Sequence, residues 1–475
     1  MAKFNKLPSL SEFPTSWYQE VVARAQLAEH APVKGCMVML PYGNAIWENI
    51  KSSLNAMIEE HGAENVCFPL LIPYSYLSRE KEHVEGFSPE IAVVTHAGGE
   101  ELSEPLVVRP TSETIIHESM KRWITSYRDL PLRINQWANV MRWEKHPRLF
   151  LRTSEFFWQE GHTAHATEEE ARAEVSEMTN IYHDYCEKYL AVPTLMGRKS
   201  EKEKFAGAVE SYSIEGLMPD GRALQMGTIH YLGTNFSEMA DVCFVNENNE
   251  KCYTQMTSWG VSTRLIGAII MVHGDDKGLK IPPRIAPVQL QFIAISQDKV
   301  VINCCEQLTA DMKKNGLRVK TDLRDVRPGV KYNDSELRGV PMCIAIGSKE
   351  IESDCVELKL RDGIVKSCKL SELTDKVVRA ELNSYHDRLL KNAKAQLTRM
   401  VRKVKTADEL KQAILDGEMA EMAWCNEMDC ELRIKEATGA SSRNMPLDGA
   451  ILDDKCTCAW CGKKARKYAF FARAY

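Results

Sequence analysis

The segment Pro282-Pro283-Arg284-Ile285-Ala286-Pro287 divides this chain into two parts of different rhythm. Each proline fixes φ and removes a backbone donor, so neither a helix nor a strand ladder continues through it. Ahead of it, residues 13–31 read as a helix opening near Ser11-Glu12 and Pro14. Residues 44–61 read as a second helix, with Ile46, Ile50, Leu54 and Ile58 on one stripe and Gly62 as its stop. Residues 65–72 suggest a buried strand closed by Pro73, and 130–143 and 151–163 the arms of a long antiparallel hairpin broken at 145–150. An acidic-starting amphipathic helix at 167–190, strands at 222–233 and 239–245, and an apolar helix at 267–272 complete an α+β region.

Beyond the prolines, strand and helix alternate. Residues 288–295, 317–321, 342–346 and 355–360 read as strands, 301–315 as a helix, and the stretch before 342 as turn-rich. That pattern is a small α/β domain. Residues 369–415 read as helical and charged, with a basic stretch at 391–405, and the tail from Glu418 is cysteine-rich. The expected division is therefore 1–285, 286–395 and 396–475, in line with a 475-residue chain at roughly 150 residues per domain.

Composition narrows the class. With 44% apolar and 27% charged residues the chain folds rather than remaining disordered. A net charge of −5 argues against non-specific coating of nucleic acid, while leaving room for one basic face. The apolar run 265–272 is far short of the roughly twenty residues a bilayer requires, and Pro8 with a polar sequel replaces any apolar leader. The expectation is a cytoplasmic protein with no membrane segment. Of fifteen cysteines, ten are spread from Cys36 to Cys368 like thiols of a reducing compartment. The other five form Cys425-x4-Cys430 and Cys456-x-Cys458-x2-Cys461. Thiolates so spaced favour tetrahedral, structural Zn2+. The expected ligands are Cys425, Cys430, Cys458 and Cys461, with Cys456 as the alternative to one of them.

Three short elements carry chemistry. Arg142-Trp143-Glu144 ends one hairpin arm, and Arg152-Thr153-Ser154-Glu155-Phe156 opens the return arm. Guanidinium forks match phosphate oxygens, and an aromatic face stacks a base; the same residues also suit a salt-bridged hairpin. Ser258-Trp259-Gly260-Val261-Ser262-Thr263-Arg264 opens the apolar helix with small residues and a fixed cation. Arg109-Pro110-Thr111-Ser112-Glu113 reads by itself as a helix start, with Thr111 or Ser112 as cap.

In order and at this spacing, these elements resemble class II prolyl-tRNA synthetases of the archaeal and eukaryotic-like form. The likeness runs from about residue 10 to Tyr475. It is carried by VVRPTSETIIH (107–117), MRWEKHPRLFLRTSEFFWQEGHTAHAT (141–167), GRKSEKEKFAGA (197–208), GTIHYLGTNFSE (227–238) and SWGVSTRLIGAIIMVHGDDKGLKIPPRIAP (258–287). The resemblance implies an antiparallel-sheet catalytic domain, an α/β anticodon-binding domain and a zinc-binding-like α/β C-terminal domain. It implies activation of L-proline with ATP to prolyl-adenylate, then transfer to the 3′ end of tRNA(Pro), releasing AMP and diphosphate. Arg142 and Arg264 would be catalytic. Thr111, Glu113, Arg142, Trp158 and His230 would hold proline, and Arg142, Glu144, Phe156, Gln225, Thr228, Ser262 and Arg264 would hold ATP. Mg2+ would come with ATP, with Thr228, Glu238 and Asp241 as open candidates for orienting it.

In DLRDVRPGVKYNDSELRGVP (322–341) and just beyond, Glu336, Arg338 and Lys349 are anticodon candidates. Val330, Cys343 and Ala345 depart from the family pattern there. The resemblance also implies a homodimer with 44–72 at its seam, a first-motif proline at Pro69 or Pro73, and Tyr475 docked near the active site. The interval between Phe156 and Arg264 is too short for an insertion-type editing domain. Two rivals remain: a threonyl or glycyl sibling, and a retired synthetase fold acting as an RNA-binding zinc protein.

Overall fold

Alternating side chains build the centre of the molecule. In the computed structural model, which describes residues 6–79, 91–447, 452–453 and 455–475, strands Leu132–Met141 and Glu155–His165 pair antiparallel from Leu132↔Ala164 to Met141↔Glu155. The beginning of the N-terminal stretch, residues 1–5, lies outside the described residues. Strand Gln255–Ser262 pairs antiparallel with Glu155–His165, and strand Arg222–Gly233 with Gln255–Ser262. Strand Glu210–Leu217, not foreseen from the sequence, follows as an antiparallel neighbour of Arg222–Gly233.

Helices close one face of this sheet. Thr167 accepts the Glu170 N–H and Glu170 reciprocates, so helix Glu168–Lys188 starts at a capping box. Its Val175, Met178, Tyr182 and Tyr185 are buried with Ile46, Ile50, Leu54 and Ile58 of helix Pro41–Glu60 and the apolar face of helix Arg264–His273. The stripe read at 44–61 is therefore spent inside the chain's own core.

Beyond the prolines, a five-stranded sheet runs Val319–Asp322, Leu290–Ala294, Met342–Ile346, Val356–Leu360, Val365–Cys368. The first three strands are parallel and the last two antiparallel, flanked by helices such as Lys299–Lys314. Its seam with the half ahead of the prolines is polar. Arg361 donates to both carboxylate oxygens of Asp275, at 2.9 and 2.6 Å, and the Tyr42 hydroxyl donates to the Arg338 carbonyl at 3.0 Å.

The C-terminal region returns to the central sheet. Strand Lys467–Ala474 pairs antiparallel with Met419–Trp424, and parallel with strand Arg222–Gly233 through Arg222↔Arg473 and Ala223↔Ala474. Among the described residues one twelve-stranded sheet thus spans both regions.

Several expected elements are corrected. The first helix is Pro14–Arg24; Gln26 takes φ 57°, and Ala28–His30 pairs as a strand with Met37–Met39. Residues 65–72 are not one strand: Glu64–Asn65 pairs with Leu132–Met141, while Leu71–Pro73 joins a separate sheet with Glu100–Val108. Residues 239–245 split into the end of helix Asn235–Ala240 and strand Cys243–Val245. The turn-rich stretch contains helix Pro328–Arg338. Residues 369–415 divide into helix Asp375–Met400, strand Val401–Val404 and helix Ala407–Leu415.

Candidate active site

Period-two alternation puts Phe156, Trp158, Glu160 and His162 on one face of their strand, and register sets their neighbours. His162 lies opposite Ser258, which lies opposite His230; Glu160 lies opposite Gly260, which lies opposite Thr228; Trp158 lies opposite Ser262. These three rows floor a cavity of about 370 Å³. Gly260 sits mid-grid, and a Cβ there would stand 2.9 Å from the Gln159 carbonyl. Arg142, Glu144 and Arg152 enter from the hairpin end, Thr111 and Glu113 from the start of helix Glu113–Trp123, and Arg264 from the first turn of its helix.

Every proline- and ATP-site residue expected from the sequence lines this one cavity: Thr111, Glu113, Arg142, Glu144, Phe156, Trp158, Gln225, Thr228, His230, Ser262 and Arg264. The Arg142 guanidinium lies 5.5 Å from the ring centres of both Phe156 and Trp158, and its Nε donates to the Pro110 carbonyl at 2.9 Å. Arg264 donates from Nε to the Leu151 carbonyl at 3.0 Å. Burial, and then the Arg142 charge, push Arg264 down to about 10. The two cations thus feel each other in a site built for anions.

Although burial alone would raise it, Glu144 is held below the usual carboxylate range by the His146 N–H and Arg152. It serves as the anchor of the 145–150 loop, so the salt-bridged hairpin and the cavity wall are the same structure. Thr111 donates to Glu113, and Ser112, although at the cap position, makes no cap bond; it donates to Glu160 at 2.5 Å instead. Trp158 Nε1, Ser258 Oγ and Thr263 Oγ1 are buried without a hydrogen bond among the described residues.

Sequence reasoning missed Glu160, His162, Lys199, Glu203 and Phe205, which also line the cavity. The signal for the first two was the alternation from Phe156 and Trp158. Burial opposes charge on His162, but the Glu160 carboxylate at 3.0 Å outweighs it and raises the imidazole above its ordinary value. Of the side chains weighed for Mg2+, Thr228 lines the cavity, whereas Asp241 is paired with Lys121 and Lys251, at 3.1 and 3.0 Å, and Glu238 accepts from Thr234 at 2.6 Å.

The anticodon candidates do not gather on one open surface. Glu336 is paired with Lys277 at 3.3 Å, and Arg338 bonds Gln26 and lies 5.5 Å from the Tyr42 ring centre, so both engage the catalytic half. Lys349 stands exposed, and Cys343 is buried against Ser335. Helix Pro328–Arg338, expected as turn, sets the direction of Glu336 and Arg338 among its last residues.

In the tail, the sulfur atoms of Cys425, Cys430, Cys458 and Cys461 lie within 4.8 Å of one another, and Cys456 is not among them. Cys430–Cys458 and Cys425–Cys461 are 3.8 and 3.7 Å apart. Ligands at about 2.3 Å around tetrahedral zinc are about 3.8 Å apart, so this donor set fits Zn2+. Tyr475 docks on the catalytic half: its N–H donates to the Ala223 carbonyl at 3.1 Å and its hydroxyl to Asp220 at 2.5 Å. It lies against a second cavity, which shares Leu151 with the first.

Comparison with known proteins agrees with this geometry. Residues 95–273 match the tRNA synthetase class II core domain (G, H, P, S and T), and 284–380 an anticodon binding domain. The fold and site are those of a class II aminoacyl-tRNA synthetase. Residues 407–475 match the prolyl-tRNA synthetase C-terminal domain. A proline–tRNA ligase of Symbiobacterium thermophilum is 46% identical over 483 positions, covering 98% of this chain and 97% of the relative. One from Ruminiclostridium cellulolyticum is 48% identical, with both chains fully covered. A solved prolyl-tRNA synthetase from Cryptosporidium parvum, complexed with halofuginone and AMPPNP, superposes with a TM-score of 0.95 at 40% identity, covering 99% of each chain. This chain belongs to the prolyl-tRNA synthetase family. Between Phe156 and Arg264 lie helices Glu168–Lys188 and Asn235–Ala240, strands of the central sheet and the short pair Cys243–Val245 with Lys251–Tyr253, with no inserted domain. Among the described residues no helix is long and apolar enough to cross a membrane.

Proposed function

We propose that this chain is a cytoplasmic proline–tRNA ligase, with catalysis in 1–285, anticodon reading in 286–395 and a thiolate-stabilised domain in 396–475. The observation that carries the reading is the convergence of Arg142 and Arg264 on one cavity whose floor presents Phe156 and Trp158. The proline carboxylate attacks the α-phosphorus of ATP, the bond to the β-phosphate oxygen breaks, and diphosphate leaves. No protein nucleophile takes part; the chain positions the reactants and stabilises charge on the pentavalent phosphorus. Arg142 bridges the carboxylate and α-phosphate, Phe156 stacks adenine, Glu144 holds its amino group, and Arg264 covers the other face and reaches the γ-phosphate. Gln225, Thr228 and Ser262 complete the ATP contacts. Thr111 and Glu113 accept the two N–H bonds of the cationic secondary amine, while Trp158 and His230 wall its ring. The tRNA 3′-terminal hydroxyl then attacks the activated carbonyl and AMP leaves.

Mg2+ brought in with ATP would offset charge on the phosphates, and Thr228, which lines the cavity, is the side chain we assign to orienting it. Cys425, Cys430, Cys458 and Cys461 would hold Zn2+ in a structural role, because four protein ligands leave no open position. For the anticodon, exposed Lys349 is the contact supported best, with Glu336 and Arg338 acting through the seam. A homodimer through 44–72, with Pro69 as its motif proline, is supported by exposed Leu70, Leu71 and Tyr74 on that side.

The test is ATP–pyrophosphate exchange across the amino acids. Exchange is expected with proline, falling at least about 100-fold in Arg142→Ala. Exchange with threonine or glycine instead would move the chain to a sibling specificity. Tight tRNA binding with no adenylate would favour the retired-synthetase reading.

A further inference from the structure

The C-terminal region sends residues 441–446 deep into the catalytic half. Ser442 Oγ donates to Ser200 Oγ at 3.1 Å, and Asn444 Nδ2 to the Leu195 and Ser213 carbonyls at 2.9 and 3.3 Å. Met445 pairs antiparallel with Arg198. Between them, Arg443 donates to Glu215 Oε2 from Nε at 3.2 Å and from Nη2 at 3.0 Å. The pair is closed to solvent, with side-chain exposures of 7% and 0%. Both bonds go to one oxygen; Glu215 Oε1 is buried without a hydrogen bond among the described residues.

Glu215 is the cross-strand partner of Gln225, and Gln225 accepts from Lys199 Nζ at 2.8 Å. Lys199 and Gln225 both line the cavity, as does Arg264. Burial pushes the Lys199 ammonium down; Glu215 and Glu203 raise it, while Arg443 and Arg264 repel it. A buried carboxylate therefore stands behind the cationic wall of the cavity, and an arginine from another domain balances it.

We infer that Arg443 is a positioning residue for ATP: by pairing with Glu215 from behind, it leaves the Lys199 ammonium on Gln225 at the cavity, where it meets the ATP phosphates. Without Arg443, Glu215 would be a buried and unpaired charge. The nearby lysine, a point charge on a flexible four-carbon stem, would turn from Gln225 to neutralise it. ATP affinity then depends on the C-terminal domain being seated. This rests on the ATP reading of the cavity, which exchange by the unaltered enzyme tests separately.

Full-length variants decide the matter by proline-dependent exchange. Arg443→Met should raise the KM for ATP about tenfold, leaving the KM for proline within about twofold. Adding Glu215→Gln removes the stranded charge without restoring the lost bonds, so the double variant should recover most of the ATP KM. Arg443→Lys should recover part of it. An ATP KM unchanged in Arg443→Met overturns the inference. So does equal loss of both KM values with no recovery in the double variant, which would mark Arg443 as mere docking. Should Arg443→Met fail to fold, Lys199→Gln carries the test, and an unaltered ATP KM there is equally decisive against it.

Discussion

Gly161 lies between Glu160 and His162 and opposite Trp259, and a Cβ added there would stand 2.1 Å from the indole ring. Trp259 is buried edge-on against Tyr182, so the ring has no easy retreat. Gly161→Ala should cost about 1–3 kcal/mol in urea unfolding, and weaken proline binding by shifting the floor. Glu113→Gln keeps the shape but loses the charge facing the substrate amine; the KM for proline should rise about 10–100-fold with ATP little affected. Beside them, His162 has a raised folded pKa because Glu160 outweighs burial. Its contribution to stability is therefore fully present below the unfolded value of about 6.5, and is lost as pH rises through the higher folded value. Glu160→Gln should flatten that part of the stability–pH curve, with the shift read directly from the His162 ring resonances.

Two helix starts of similar composition behave differently. Thr167 caps helix Glu168–Lys188, and Thr167→Ala should cost about 1 kcal/mol of thermal or urea stability. Ser112 holds the equivalent position but bonds Glu160 instead, so the helix starts at Glu113 as the sequence suggests while the capping hydroxyl is spent on the cavity floor. Elements with a clear period were legible: the hairpin arms, the strand Arg222–Gly233 and the helix stripe at Ile46, Ile50, Leu54 and Ile58. Helix Pro328–Arg338 was not, because only Lys331 and Ser335 of it are buried and no apolar stripe exists to be read. Its punctuation was present, with Pro328 at the start and Gly339 at φ 69° after the end. Strand Val401–Val404 was lost inside a charged helical stretch, since its strand character comes from pairing with Met419–Trp424.

Polar contacts hold the region beyond the prolines against the rest of the chain. Arg361, 3% exposed, bonds both oxygens of Asp275. Although burial raises Asp275, Arg361 and Lys280 hold it down at about 2. A depressed carboxylate stabilises the folded state above its ordinary value near 3.9, and that contribution is lost as pH falls toward 2. Arg361→Met should reduce this acid slope, Lys280 still standing 3.0 Å from Asp275, and loosen the seam by about 2 kcal/mol, read as earlier unfolding of the 286–395 region. At the other seam, Cys458→Ser should lower bound zinc, measured by elemental analysis, and release strand Lys467–Ala474 from its partners, raising amide exchange there.

What local order determines was readable without coordinates: strand alternation that aligns Phe156 with Trp158, cysteine spacing that marks a thiolate cluster while leaving Cys456 as an alternative, and prolines that break the chain's rhythm. Each depends on neighbours in the chain, whose periodicity and φ restriction are written residue by residue. The remainder depends on which segments distant in sequence come to share a wall. That Glu336 and Arg338 face the catalytic half, that strand Lys467–Ala474 extends the catalytic sheet, and that Arg443 balances a carboxylate behind Lys199 were decided by packing alone. Burial and pairing of charge are properties of a filled volume, and no local pattern records what will fill it.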